Sequence, residues 1–231
     1  MKKIVSLLFL MGSLVYGEGF LFWKGDSEKE KVDVSRQEMN QRWERIKELD
    51  QQISFDRDKW RLQKNYKEYK KEFDIYMDYL QNNSSELFNV GDYYFKNGRY
   101  EKAYEVFSRD NTNIKNVFGA ATSARFLNDN ENALRLYTQS IEMDPNFYEA
   151  YLGRGVINRN IGNYSEAIND FNKYMKYRQD EAVYTGLGDV YMITKNYGEA
   201  KNILEVGRNR YPNSKVIRDM LIRLYAELKN N

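Results

Sequence analysis

The sequence predicts an all-α protein, a solenoid of stacked helical hairpins with two charged amphipathic helices ahead of it. Three observations predict this class. Ala103, Ala133, Ala167 and Ala200 recur at spacings of 30, 34 and 33 residues, and a period of that size marks units that each bury an apolar face on the next. Only two prolines interrupt 231 residues, which leaves long stretches free to remain helical. Apolar residues ahead of the repeats keep a helical phase, with steps of three and four.

Composition removes most chemistry. The chain has no cysteine and no histidine, so thiol nucleophiles, Ser-His-Asp or Cys-His arrangements and the usual zinc and haem ligand sets are excluded. No catalytic residue, metal or cofactor is therefore expected. With 36 basic against 34 acidic residues the net charge is only +2, which provides no whole-chain field for nucleic acid or an anionic membrane.

Residues 1–17 read as a secretory signal peptide. Lys2 and Lys3 precede an apolar run from Ile4 to Tyr16, and Val15 with Gly17 places permissive residues three and one positions before a cut at Glu18. The run is shorter than the roughly 20 residues a bilayer needs. The mature chain is expected to be exported, periplasmic or at the cell surface or secreted, and not membrane-spanning. Lipoprotein processing needs a cysteine at the cut and is excluded. Residues 18–32 read as a flexible segment.

Residues 33–83 are predicted to form the two charged helices. Met39, Trp43, Ile46 and Ile53 carry one apolar phase, and Leu62, Tyr66, Tyr69, Phe73, Tyr76 and Leu80 carry the next. The phase slips near Ser54-Phe55-Asp56, where Ser54 or Asp56 can cap the second helix. Two uses remain open at this level: a coiled coil that makes a homo-oligomer, or an extra hairpin that seals the first repeat. The basic run from Arg57 to Lys71 superficially resembles a nucleic-acid stripe. Its lysines lie off the apolar face, and Glu68, Glu72 and Asp74 interrupt it with local pairs, so it reads as a solvated helix surface with no nucleic-acid partner.

The repeats occupy residues 84–231. Tyr100-Glu101-Lys102-Ala103, Asn130-Glu131-Asn132-Ala133, Tyr164-Ser165-Glu166-Ala167 and Tyr197-Gly198-Glu199-Ala200 are each followed four residues on by Phe107, Tyr137, Phe171 or Leu204. A preceding helix carries a small residue at Gly91, Ala121, Gly155 or Gly188, which lets paired helices approach, with the alanine as its counterpart. Turns fall at Asn97-Gly98, Asn128-Asp129, Ile161-Gly162-Asn163 and Lys195-Asn196, and Asp144-Pro145-Asn146 and Tyr211-Pro212-Asn213-Ser214 end repeats.

Ser84 to Ser214 thus resembles four tetratricopeptide repeats, and Lys215 to Leu228 resembles that family's final solvating helix. The resemblance implies a right-handed α-solenoid with a concave face. Repeat two departs from the pattern, with Asn128 and Asn130 at its turn. The 30-residue first spacing implies a truncated second helix around Arg109 to Asn113, a junction either loose or sharply bent.

In this family the first helix of each hairpin lines the groove. Carried onto this chain, that implies a partner-binding set of Phe88, Asp92, Phe95, Phe118, Thr122, Arg125, Leu152, Val156, Arg159 and Asp189, flanked by Lys115, Thr185 and Met192. The first two repeats offer most of the aromatics. Such a groove suits an amphipathic helix or an extended apolar peptide, unless the chain's own preceding helices cover it. The family's clamp for a C-terminal carboxylate is absent, because its positions read Phe88, Phe118, Leu152 and Thr185, then Asp92, Thr122, Val156 and Asp189.

The expected function is a non-enzymatic protein-protein interaction scaffold or adaptor of the bacterial cell envelope. In layout the chain is similar to the periplasmic cell-division coordinators associated with Tol-Pal. A component of an outer-membrane assembly or secretion apparatus is the alternative, weakened by the missing cysteine. A cell-wall-active enzyme would have to use Asp92 and Asp189, three repeats apart and too distant to act together.

Overall fold

In the computed structural model the described residues are 36–53, 59–81 and 83–230. The expected signal peptide, the segment after it and the expected break at Ser54-Phe55-Asp56 lie outside them. Every regular element among the described residues is an α-helix. The chain divides into two compact units, one ending at Leu80 and the other beginning at Gln81.

The first unit holds α1 (residues 36–53) and α2 (Lys59–Leu80). They run antiparallel against each other. Arg45 donates to Glu68 through Nε and Nη2 at 3.0 and 2.7 Å, and Arg42 pairs with Glu72. Trp43 stacks on Tyr76 at 5.4 Å, while Ile46, Leu49, Tyr69, Phe73 and Met77 are buried. Both predicted helices are present, with one correction. Glu68 and Glu72 do not pair within α2 but bridge to arginines of α1, because their side of α2 is the side that meets α1.

The second unit is four hairpins and a closing helix. Their first helices are α3 (Ser84–Lys96), α5 (Ile114–Phe126), α7 (Tyr148–Asn160) and α9 (Glu181–Ile193). The second helices are α4 (Tyr100–Phe107), α6 (Asn130–Met143), α8 (Tyr164–Tyr177) and α10 (Tyr197–Arg210), and α11 (Lys215–Asn230) closes the stack. Side chains start several of them: Asn83 accepts from Glu86 N at 3.1 Å, Asp129 from Asn132 N at 3.2 Å and Asp180 from Val183 N at 3.3 Å, satisfying amides the helix leaves free. All four phased alanines are fully buried. On α11, Ile217, Met220, Leu221 and Leu224 are buried, the i, i+3, i+4, i+7 stripe of a helix covered on one side.

Neighbouring first helices touch one another directly, and second helices do so far less. That inequality curves the stack, with first helices inside the curve. The spacer that sets it is the phased ring. A Cβ built on Gly91 would lie 2.5 Å from the Phe107 ring, and one on Gly119 would lie 2.7 Å from it. Phe171 does the same for Gly155 and Gly186, at 2.8 and 2.9 Å. Each ring therefore wedges between the first helices of its own and the next repeat. The expected close approach at Gly91, Gly155 and Gly188 is present, but what fills the vacated space is the ring or Leu204 rather than the alanine.

The turn between paired helices takes the same backbone in all four repeats. Gly98, Asn128, Gly162 and Lys195 have φ of 71°, 60°, 87° and 58°. Glycine adopts this left-handed conformation freely and asparagine tolerates it, which explains how repeat two keeps the turn without a glycine.

The first junction is tight rather than loose. Helix α4 has 8 residues where α6, α8 and α10 have 14. After it, Asp110 Oδ1 accepts from Thr112 N and Oγ1 at 2.9 and 2.7 Å, and Asp110 Oδ2 accepts from Asn116 Nδ2 at 3.1 Å. Asn116 Nδ2 also donates to Ser84 O at 3.1 Å. One carboxylate thus joins the turn, α5 and the start of α3.

Candidate partner-binding groove

On the inner side of α5, α7 and α9 lies a groove of about 390 Å³. It brings together Phe118, Thr122, Arg125, Leu152, Val156 and Arg159, with Thr185 beside them. Asp189 adjoins it through an ion pair to Arg159 at 3.2 Å. The other predicted residues lie elsewhere. Phe88 lines a separate depression with Ser84, Asn89, Thr112 and Lys115. Phe95 sits in a ring cluster with Tyr100 and Phe126 at 5.3 and 5.2 Å, and Asp92 pairs with Lys96 of its own helix at 2.6 Å. Met192 packs against the core between α7 and α11. The open groove is therefore centred on repeats two to four, where the sequence placed the aromatic part at repeats one and two.

Packing explains the shift. The Phe118 ring meets Tyr137 at 5.8 Å and Phe147 at 5.1 Å, and Phe88 meets Phe107 at 5.8 Å. Both phenylalanines are half-buried, part wall and part core. Leu152 and Val156, half-buried on α7, form the apolar middle of the floor.

Tyr137 and Gly153 complete the floor, and sequence reasoning missed them. Tyr137 stands at a position assigned to packing, yet its ring lies against Gly153, where a Cβ would come within 2.3 Å. A second phased glycine series, Gly119, Gly153 and Gly186 at spacings of 34 and 33, carried that signal. Tyr137 also organises the polar wall. Arg125 Nε donates to Tyr137 Oη at 3.3 Å, Tyr137 Oη donates to Thr122 Oγ1 at 3.2 Å, and Thr122 Oγ1 donates to Phe118 O at 2.9 Å. Arg125 further lies over the Phe126 ring at 4.5 Å, so both polar and aromatic contacts hold its guanidinium.

Among the described residues no group of three or more acids is placed to hold a metal ion, and no helix is long and apolar enough to cross a membrane. The groove offers apolar surface with a few fixed charges at its edges, an arrangement for holding a chain segment.

Residues 118–181 and 182–205 match family models, both described as tetratricopeptide repeat. Residues 118–205 thus carry tetratricopeptide repeats, and residues 84–107 fold as one further helical hairpin ahead of the matched region. Protein SGT1 homolog of Oryza sativa subsp. japonica is 36% identical over 86 residues, which is 36% of this chain and 23% of the relative; the chain thus spans less than a quarter of that relative's length. Among solved structures, a tetratricopeptide repeat protein from Parabacteroides merdae superposes with a TM-score of 0.59 at 19% identity, covering 80% of this chain and 74% of the other. MamA superposes with a TM-score of 0.55 at 18% identity, over 64% and 94%. Pseudomonas aeruginosa pilF gives 0.56 at 13% identity, over 70% and 76%. These likenesses show the fold.

Proposed function

We propose that the chain is a non-enzymatic scaffold or adaptor that holds a segment of a partner protein in the groove of α5, α7 and α9, and that it acts outside the cytoplasm, in the bacterial cell envelope. The observation that carries the reading is the gathering of Phe118, Thr122, Arg125, Leu152, Val156 and Arg159 around one open groove. A half-buried apolar floor with charged edges is what a docked peptide needs: apolar anchors lend affinity and edge charges lend selectivity. Export rests on Lys2, Lys3 and the apolar run that follows.

The groove is tested by placing a photo-crosslinking amino acid at Thr185, which lines it, and separately at the exposed Arg218 of α11. A discrete protein adduct from Thr185 alone, lost when Val156→Asp is added to a chain with unchanged circular dichroism, supports the reading. Equal labelling from both positions sinks it. Fractionation of the producing cell with mass analysis of the mature N-terminus tests export, for which a chain beginning at Glu18 outside the cytoplasm is the expected result.

A further inference from the structure

The groove's charges are of two kinds. Arg159 is neutralised by Asp189 at 3.2 Å, and its Nε and Nη2 donate to Asn160 Oδ1 at 3.2 and 2.9 Å. Arg125 also lines the groove and is held in place by Tyr137 and Phe126, but among the described residues it has no carboxylate within ion-pair distance. Glu149 lines the groove and likewise forms no ion pair among the described residues. A half-buried guanidinium that is positioned yet unpaired is one side of an incomplete charge-assisted contact. A carboxylate at the opposite end is the other side of a second one.

The topology fixes how far apart these two groups lie. Arg125 is the next-to-last residue of α5, and its counterpart in register on α7 is Arg159; Glu149 is the second residue of α7. Ten residues from Glu149 to Arg159 rise about 15 Å along a helix. With the ~9 Å between adjacent helix axes the diagonal is about 17 Å, a span that about five residues of extended chain cover. Leu152 and Val156 lie between the two charges on α7.

We infer that the groove takes a dipolar peptide segment: a carboxylate side chain at Arg125, large apolar side chains over Leu152 and Val156, and a basic side chain at Glu149, with the two charges about five residues apart. This rests on the groove reading above. It adds the chemistry of the occupant and its direction, since a reversed peptide brings like charges together at both ends. The ligand carboxylate recognised here is a side chain met at the end of α5, away from the positions where a C-terminal carboxylate clamp would stand.

The probe is a displayed library of random twelve-residue peptides selected on the full chain. Enriched peptides are expected to carry an acid and a base four to six residues apart, in one order, with apolar residues between. Arg125→Glu should weaken those peptides at least tenfold, and replacing the peptide's acid with lysine should restore binding to that variant. Arg125→Met, which keeps an unbranched aliphatic stem but removes the guanidinium that lies over Phe126, should weaken binding several-fold with helicity unchanged by circular dichroism, separating lost recognition from lost folding. If enriched peptides lack this charge spacing, or if Arg125→Glu leaves their Kd within twofold, while Val156→Asp still abolishes binding, the dipolar occupant is wrong and the groove stands. Peptides that bind Val156→Asp as well as the parent chain would overturn the groove itself.

Discussion

Arg154 and Asp170 form a two-point ion pair inside the third repeat, Nε to Oδ2 at 2.9 Å and Nη2 to Oδ1 at 2.8 Å. Asp170 is 1% exposed and also accepts from Asn158 Nδ2 at 3.1 Å. Arg154 reaches back to Thr138 Oγ1 of the preceding hairpin at 3.3 Å, so the pair fastens α7 to α8 and to α6 together. A buried pair adds little net stability over apolar residues of the same shape, but breaking one side of it strands a charge. Arg154→Met is therefore expected to cost about 3–5 kcal/mol in urea unfolding. Adding Asp170→Leu to Arg154→Met should recover most of that loss. A single variant within 1 kcal/mol of the parent would show that water reaches Asp170 and the pair is not needed.

That pair was invisible in the sequence, and the reason is physical. Repetition exposes residues that every unit uses, such as the buried alanines and their following rings. Arg154 and Asp170 have no counterparts at the equivalent positions of the other repeats and leave no periodic trace. The groove was legible in part for the same reason: the phase placed Arg125 and Arg159 in one register, and both line it. Phase cannot report which groove charge is already neutralised. Whether Asp189 meets Arg159 depends on the packing of α9 against α7, and the phase likewise does not report that Phe95 meets the rings of Tyr100 and Phe126.

The ring that spaces successive repeats predicts a paired response. Gly119→Ala places a methyl 2.7 Å from the Phe107 ring, an overpacking expected to cost about 1–3 kcal/mol. Phe107→Ala alone should cost about 3–5 kcal/mol. Gly119→Ala with Phe107→Leu should be more stable than the sum of the two single changes implies, because the smaller side chain makes room for the methyl. Gly198→Ala, where a Cβ meets nothing within 4 Å, should leave the thermal midpoint unchanged or slightly raised. Additive effects at positions 107 and 119 would break the spacer account.

Lys195 holds a left-handed backbone, φ 58°, at a turn where Gly98 and Gly162 stand in two other repeats. A side chain with a Cβ adopts that conformation at a cost of about 1–2 kcal/mol, and glycine's greater freedom in the unfolded chain offsets part of the gain from relieving it. Lys195→Gly is thus expected to stabilise the chain by about 0.5–1 kcal/mol, read as a higher thermal midpoint at unchanged helicity. Asn128→Gly should gain less, because asparagine already tolerates the conformation. The reverse ranking would mean that contacts of the Lys195 side chain, not its backbone, decide the turn.

The turn after α4 makes the second unit's first junction sensitive to acid. Burial pushes the Asp110 carboxyl upward, but hydrogen bonds from Ser84, Thr112 and Asn116 outweigh it and hold the group at about 2. The unfolded chain returns it to about 4. A group whose folded value is depressed contributes stability that is complete above its unfolded value and lost as pH falls towards the folded one. Asp110 should accordingly contribute fully above pH ~4 and progressively less down to pH ~2. Asp110→Ala removes that contribution along with the bonds to Thr112 and Asn116. It is expected to lower stability at pH 7 by about 1–3 kcal/mol and to flatten the fall in stability between pH 4 and pH 2. Urea midpoints for both chains across that range provide the measurement, and parallel acid limbs would mean that the carboxylate does not hold the junction.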